Sequence, residues 1–419
     1  VTTASEGLAF RRAREADLDR LADIHMSAYP DERGPEARRR NFVHNALGGL
    51  DDLWVVEAQG GPEGPSGHAF LLSLEAWFGG VRVPVGGVAS VGVAPEARGH
   101  GLARALLEHL HAESKERGDA ATLLYAFRQG FYAPEGYAPV TPSRRLALSP
   151  RSIPRAWAHD EPGCVVHAAS GADRTGLERV YEQVAALQTG WIARSARFWE
   201  RKLSHERRHW FVLDRRGSVA GYVAWTLAQD EPHAATTLVV QELVALDDDG
   251  RRRLLGLVGS QRDQVTEIQI DVDARDPLDR ALVDLDRERW GTESLEHCLG
   301  ALVGGPMVRV ADVTRAFEAR GYPRDGELDI VVDDSTGDAA GSSVPALHLE
   351  ARGGRGRVGL ARGGPSIRLG RAALGAVLYG GLLPSEGARL RWVFADEPST
   401  LRRADALLEL PPFFSIDSF

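Results

Sequence analysis

The most specific chemistry-bearing spacing lies in Val91-Gly92-Val93-Ala94-Pro95-Glu96-Ala97-Arg98-Gly99-His100-Gly101-Leu102-Ala103. It reads as a strand, a short turn and a helix start. Glycines at 99 and 101 let the backbone approach an anion with no Cβ in the way. Amides at a helix start, with the positive end of the dipole, hold a diphosphate. Arg98 adds a fixed cation, and Leu102 and Ala103 open the helix. The backbone of Val91 and Val93 offers an edge on which an amide-rich arm can pair like an extra strand. Other phosphate loops fit worse. No Gly-Lys-Ser/Thr is present, and Arg104 stands where a dinucleotide fingerprint needs a third glycine.

A second spacing points to different chemistry. His205-Glu206-Arg207-Arg208-His209 matches HExxH, in which two histidines one helical turn apart share zinc. Its interior pair is Arg-Arg, the segment reads as a helix end running into a strand at Trp210, and no third ligand is evident downstream. We therefore expect no metal site. Acidic residues near the first motif, such as Asp31 and Glu32, are candidate bases.

These residues need a mixed α/β frame. Leu8–Ala13 reads as a strand, Asp17–Ala28 and Glu36–Leu47 as helices. Leu53–Ala58, His68–Glu75, Val81–Gly86 and Val88–Val93 read as strands. A helix carries Leu102, Leu106, Leu107 and Leu110 on one face, and Ala121–Ala126 reads as a further strand. A strand–helix–strand step inside an antiparallel sheet leaves a place where neighbours splay, and ligands bind at such points.

The same order recurs from about Ser152 to Leu302, which suggests an internal duplication. Strands are expected at Val165–Ala168, Trp210–Leu213, Val219–Leu227, Leu238–Leu246 and Ile268–Val272. Helices are expected at Leu177–Leu187, at Ala196–Arg208 and from Gly250. There the loop reads Val244-Ala245-Leu246-Asp247-Asp248-Asp249-Gly250, and three carboxylates would repel a diphosphate. A third unit begins near Gly305. It has helices at Ala311–Arg320, Ala372–Tyr379 and Thr400–Leu410, strands at Leu328–Val332 and Leu347–Ala351, and a glycine-rich stretch from Gly353 to Gly364. The expected divisions are 1–150, 151–304 and 305–419.

Composition sets outer bounds. At 419 residues the chain exceeds one ordinary core. With 43 % hydrophobic and 26 % charged residues it has a globular composition. A net charge of −9 argues against a nucleic-acid partner and suits a small cationic one. Cys164 and Cys298 form no metal or disulfide pattern, which fits a reducing cytoplasm. The best apolar run, Leu374–Leu383, carries glycines and stops at Pro384, so no membrane span is expected. The first residues hold no hydrophobic signal core, so no secretion signal is expected.

The loop resembles motif A of the GNAT superfamily of N-acetyltransferases, and the wider chain is similar to the Eis (enhanced intracellular survival) aminoglycoside acetyltransferases. The resemblance rests on Val91–Ala103, on Phe131-Tyr132-Ala133-Pro134-Glu135-Gly136-Tyr137, on Gly305-Pro306-Met307-Val308-Arg309-Val310-Ala311-Asp312-Val313, and on Phe419. It implies tandem GNAT folds, the second degenerate, followed by a sterol-carrier-like α+β domain. It also implies acetyl-CoA as cosubstrate on Val91, Val93, Arg98, Gly99, Gly101, Leu102 and Ala103. Direct attack by an amine of a polycationic substrate such as an aminoglycoside would ensue, in a homo-hexamer. Protein lysines or polyamines are the enzymatic alternative, and a lipid-binding protein with vestigial acetyltransferase domains is the other.

The same resemblance gives Tyr132 the role of the acid that protonates the departing CoA thiolate, provided the site lowers its phenol from near ~10 towards a thiol near ~8.5. It gives the α-carboxylate of Phe419 the role of base. That would account for the apolar stretch Pro411-Pro412-Phe413-Phe414-Ser415-Ile416-Asp417-Ser418-Phe419, which does not read as a solvated tail. The chain departs from its relatives at Phe127-Arg128, where a Ser-Glu pair is common.

Overall fold

The computed structural model describes residues 7–29, 33–58, 64–159, 162–229, 231, 234–282, 298–333 and 346–419. Asp31 and Glu32 lie outside the described residues. Three β-sheets organise the chain.

The first sheet has seven strands in the order Leu8–Arg12, Leu53–Ala58, Gly67–Phe78, Val81–Val93, Ala121–Leu124, Met307–Val310 and Ala138–Pro139. Its one parallel pair is Val81–Val93 with Ala121–Leu124, in register from Val85 opposite Ala121 to Val88 opposite Leu124. The first strand then runs on to Val93 after its partner has ended, so the two part and a cleft opens. A bulge falls there: Phe70 pairs with Ala89 but His68 pairs with Gly92. Ser90 takes a left-handed φ of 52° to make it. A bulge bends its strand and re-aims nearby side chains, and bulges concentrate beside functional sites.

The second sheet repeats the plan. Its order is Gly300–Val303, Ser143–Leu148, Glu267–Val272, Thr237–Ala245, Ser218–Ala228, His209–Arg215 and Cys164–Ala168. Its parallel pair, Thr237–Ala245 with Glu267–Val272, holds register only from Thr237 opposite Glu267 to Val240 opposite Ile270. The third sheet has five strands, Arg355–Leu360, Leu347–Arg352, Gly326–Asp333, Ser366–Gly370 and Val393–Ala395. Helices Val313–Ala319, Arg371–Leu378 and Pro398–Leu408 accompany it.

Several expectations change. Val81–Gly86 and Val88–Val93 are one strand, because Gly86 and Gly87 mark close packing and not a break. A Cβ on Gly86 would stand 2.9 Å from Asp119 Oδ2. The helix from Ala196 ends at Leu203, and the glycine-rich stretch contains the strand Arg355–Leu360. The sheets also cross the expected divisions. Ser143–Leu148, placed in the first segment, pairs in the second sheet, and Met307–Val310, placed in the third, completes the first. Strand pairing joins residues far apart in sequence, so a linear reading cannot assign it.

The units share a core. One apolar cluster runs from Phe70 and Phe78 of the first sheet through Phe317, Leu374 and Tyr379 to Phe413. Phe78 meets Tyr379 edge-on at 4.7 Å between ring centroids. Among the described residues no helix is long and apolar enough to cross a membrane.

Candidate active site

The loop at residues 98–103 has the local geometry its glycines predict. Gly99 and Gly101 sit at φ 84° and 78°. A Cβ at either would meet open space, so backbone conformation and not crowding requires glycine there. Gly101 caps the helix Leu102–Arg117, whose first turn has no acidic residue. Ala105 N–H closes on the Gly101 carbonyl at 3.0 Å, so the amides of Leu102, Ala103 and Arg104 precede the ladder. Arg98 lies across the loop mouth, with Nε 3.1 Å from the Val93 carbonyl and Nη2 3.0 Å from Ser27 Oγ. The guanidinium is thus oriented while its outer edge stays exposed. An anion placed here would meet oriented amides, a dipole end and a cation.

The strand cleft beside this loop holds a cavity of about 240 Å³. Val88, Ser90 and Val91 form one wall, Leu124 and Tyr125 the other, and His25, Tyr29, Tyr132 and Phe419 close it. Tyr29 donates its hydroxyl to the Val91 carbonyl at 3.0 Å. With the Val93 carbonyl serving Arg98, both acceptors on this edge keep one lone pair for an incoming amide.

Tyr132 ends the short helix Gln129–Tyr132 and is 3 % exposed. Phe131 and Tyr137 stand edge-on to its ring at 4.9 and 6.0 Å. Burial, with Tyr29 and Tyr137 nearby, pushes its phenol above the ordinary value of 10. This runs against the expectation that the site lowers the phenol: among the described residues no charge offsets its desolvation. Tyr132 keeps its proton throughout the physiological range. Tyr137 differs: Thr122 donates to its hydroxyl at 3.0 Å, and His111 Nε2 lies at 3.1 Å. It braces the core. Phe127 is exposed and tilts against Phe131 at 5.6 Å.

The C-terminal stretch reaches this cavity. Phe413 packs in the core, Phe414 N–H bonds the Thr189 carbonyl at 3.1 Å, and Tyr125 donates to the Asp417 carbonyl at 3.1 Å. The Phe419 ring stands 5.3 Å from that of Tyr125. It lies over Gly87, where a Cβ would come within 3.1 Å of the ring. A histidine pair backs the cavity. His25 and His68 stack at 5.5 Å, and a Cβ on Gly92 would lie 2.8 Å from His68 Nε2. Complete burial, reinforced by His25, pushes His68 down to about 3, so its ring is neutral. Linear reading missed Gly87, Tyr125, Tyr29 and the histidine pair. The available signal was Gly86-Gly87 inside a strand pattern, which marks close approach of another group.

The second copy fills its own loop with charge. Asp247 caps the helix Asp248–Gly259, accepting from Gly250 N–H at 2.8 Å, and pairs with Arg215 at 2.6 Å. A carboxylate thus takes one of the amides that an anion would use and sets its own negative charge there. His205 and Glu206 of the HExxH match leave the helix at Leu203 for a turn, so the two histidines do not share a helix face.

Comparison with known proteins decides the lineage. Residues 9–140 match the acetyltransferase (GNAT) domain family, and residues 190–310 match a second acetyltransferase (GNAT) domain family. N-acetyltransferase Eis of Mycobacterium bovis is 27 % identical over 414 residues, covering 94 % of each chain. The Mycobacterium tuberculosis Eis gives the same figures. This chain carries two regions of the GNAT acetyltransferase type and is similar to the Eis acetyltransferases over most of its length. An uncharacterised N-acetyltransferase of Streptomyces avermitilis is 26 % identical over 294 residues, 65 % of this acetyltransferase and 67 % of that protein. Among solved structures, a GCN5-related N-acetyltransferase from Anabaena variabilis shares the fold at a TM-score of 0.81 and 21 % identity, covering 98 % and 100 % of the two chains. Eis1 from Mycobacterium abscessus does so at 0.74 and 24 %, with the same coverage. The acetyltransferase therefore has tandem GNAT folds, and acetyl-CoA is the cosubstrate that its family uses.

Proposed function

We propose that the first domain transfers acetyl from acetyl-CoA to an amine of a polycationic small molecule, with aminoglycosides as the substrate class. The pyrophosphate lies on Arg98, Gly99, Gly101, Leu102 and Ala103, and the pantetheine arm pairs along Val91 and Val93. The substrate nitrogen attacks the thioester carbonyl, and the α-carboxylate of a terminal Phe419 takes the proton that the nitrogen sheds. The carbon–sulfur bond then breaks, and Tyr132 passes its proton to the thiolate. Solvent returns a proton to the phenolate and removes the one held on the carboxylate. Although Tyr132 is a weak acid when buried, the thiolate forms in the same desolvated pocket, where its proton affinity rises too.

The observation that carries this reading is the cavity that Tyr132 and Phe419 line together, beside a helix start free of acidic residues. The chain's net charge of −9 favours cationic substrates. The third unit is read as sterol-carrier-like in fold, serving here to carry the tail to the cleft, and the assembly as a homo-hexamer.

A thiol-release assay over a panel of aminoglycosides, polyamines and lysine peptides tests the proposal. We expect turnover with aminoglycosides, a fall of roughly 10²-fold in kcat for Tyr132→Phe with acetyl-CoA binding retained, and a comparable fall when residues are appended after Phe419. No thiol release with any amine would refute the enzyme reading. Full activity in Tyr132→Phe would remove Tyr132 from the mechanism.

A further inference from the structure

We propose that Arg194 and Lys202 of the second domain are positioning residues for the reaction in the first: they grip Asp417, and through it set where Phe419 lies. This rests on the reading of Phe419 as the base.

Asp417 is buried two residues before Phe419. Arg194 forks onto it, Nε to Oδ2 at 2.8 Å and Nη2 to Oδ1 at 2.9 Å. The remaining guanidinium nitrogen, Nη1, pairs with Glu242 Oε2 at 2.9 Å. Lys202 Nζ lies 2.5 Å from both Asp417 Oδ1 and Glu242 Oε1. Tyr181 donates to Asp417 Oδ2 at 3.0 Å, and Tyr222 to Glu242 Oε2 at 3.1 Å. The Arg194 guanidinium lies 3.8 Å above the Tyr181 ring. The side chains of Arg194, Glu242 and Asp417 are fully shielded from solvent. Burial alone would raise both carboxyls, but Arg194 and Lys202 reverse that and hold both below the ordinary carboxylate range.

Such a network is a poor way to gain stability, since apolar packing of the same volume is often as good or better. What a bidentate fork supplies is a fixed position and angle. The tail needs this, because no helix or strand spans Leu410 to Phe419. Two extended residues reach only about 7 Å, so an error at Asp417 passes almost whole to Phe419.

The socket's location gives the second domain a role. Glu242 lies on Thr237–Ala245, the counterpart of the cofactor-side strand Val81–Val93. A cavity of about 700 Å³ opens where that strand parts from Glu267–Val272, and Phe414 and Asp417 of the tail line it. The cleft whose anion loop is blocked by Asp247 has become the seat of the tail.

The test uses the full chain. In Asp417→Asn we expect kcat to fall roughly 10- to 100-fold, because a displacement near 1 Å at a reacting group costs about that much. The acetyl-CoA KM should stay near wild type. Carboxypeptidase should release the terminal phenylalanine faster than from wild type, a readout that needs no catalysis. Lys202→Gln, at the solvent edge of the network, should shift both measurements in the same direction with little change in melting temperature. It decides the matter if Asp417→Asn folds poorly. Arg194→Lys should recover part of the kcat that Arg194→Met loses.

Unchanged kcat and unchanged phenylalanine release in folded Asp417→Asn, or in Lys202→Gln if the former does not fold, would overturn the proposal. A chain ending at Ser418 separates the two readings. If it keeps wild-type kcat, the Phe419 base fails. If it is inactive while the Asp417 and Lys202 variants are fully active, only the clamp fails.

Discussion

Gly87→Ala is the sharpest probe of how the tail meets the cleft. A methyl at position 87 would lie 3.1 Å from Phe419 Cδ2, 3.2 Å from Cε2 and 2.7 Å from Leu74 Cδ1. Carbon atoms pack best at about 3.5–4.0 Å, so the ring must retreat by roughly 0.5 Å and the Leu74 methyl must swing away. Leu74 can turn about its side-chain bonds. The Phe419 ring has less freedom, with Tyr125 at 5.3 Å on another side. Catalytic groups tolerate about 0.5 Å of error, and about 1 Å can cost 10²-fold, so we expect kcat to fall roughly 10-fold. Overpacking should also destabilise the fold by about 1–3 kcal/mol. Initial rates of thiol release at saturating acetyl-CoA, with calorimetric acetyl-CoA binding and a melting curve, separate the effects. Combining Gly87→Ala with Phe419→Leu should lower kcat no further than Phe419→Leu alone, because the clash with the ring is gone, while the contact with Leu74 still costs stability. A Gly87→Ala enzyme with wild-type kcat would refute the reasoning.

Other perturbations address the rest of the site. Arg98→Ala should raise the acetyl-CoA KM roughly 10-fold, the worth of one charge-assisted hydrogen bond, and should weaken the salt dependence of binding. His68, held near 3 against an ordinary 6.5, refuses a proton that the unfolded chain accepts, so stability should fall as pH drops from 6.5 towards 3. The slope from this group is at most about 1.4 kcal/mol per pH unit, and His68→Leu should remove it from plots of melting temperature against pH. Titration calorimetry should find one acetyl-CoA per chain, because Asp247 occupies the second loop; two equivalents would show that the second cleft still binds.

What sequence could reveal depended on how local each requirement was. The loop at 98–103 was legible because left-handed φ at Gly99 and Gly101 is a demand each residue makes alone. Asp247–Asp249 was legible for the same reason, since a capping carboxylate acts within three residues. The clamp was not, because Arg194 and Asp417 lie 223 residues apart and meet only once both domains are folded. One clue was present. Leu238, Val240, Glu242 and Val244 are all buried along Thr237–Ala245, the first two on one face of the sheet and the last two on the other beyond the bulge at Gln241, so a carboxylate among them needed a buried cation. The HExxH match misled by its letters. Its Arg208 instead sits at the rim of the network, 4.0 Å from Glu242.

The strand Met307–Val310 has a consequence for how this protein is made. It lies between Ala121–Leu124 and Ala138–Pro139, yet it emerges only after the whole second domain has been synthesised. Until then the nascent first domain holds a slot one strand wide, flanked by unpaired amides and carbonyls of a buried strand. Such an edge recruits other chains, so the interval between residues 140 and 310 is when the polypeptide is most exposed to aggregation. A gene fragment cut at the first family boundary would carry that open slot permanently, whereas one that also encodes residues 307–310 on a linker could close it.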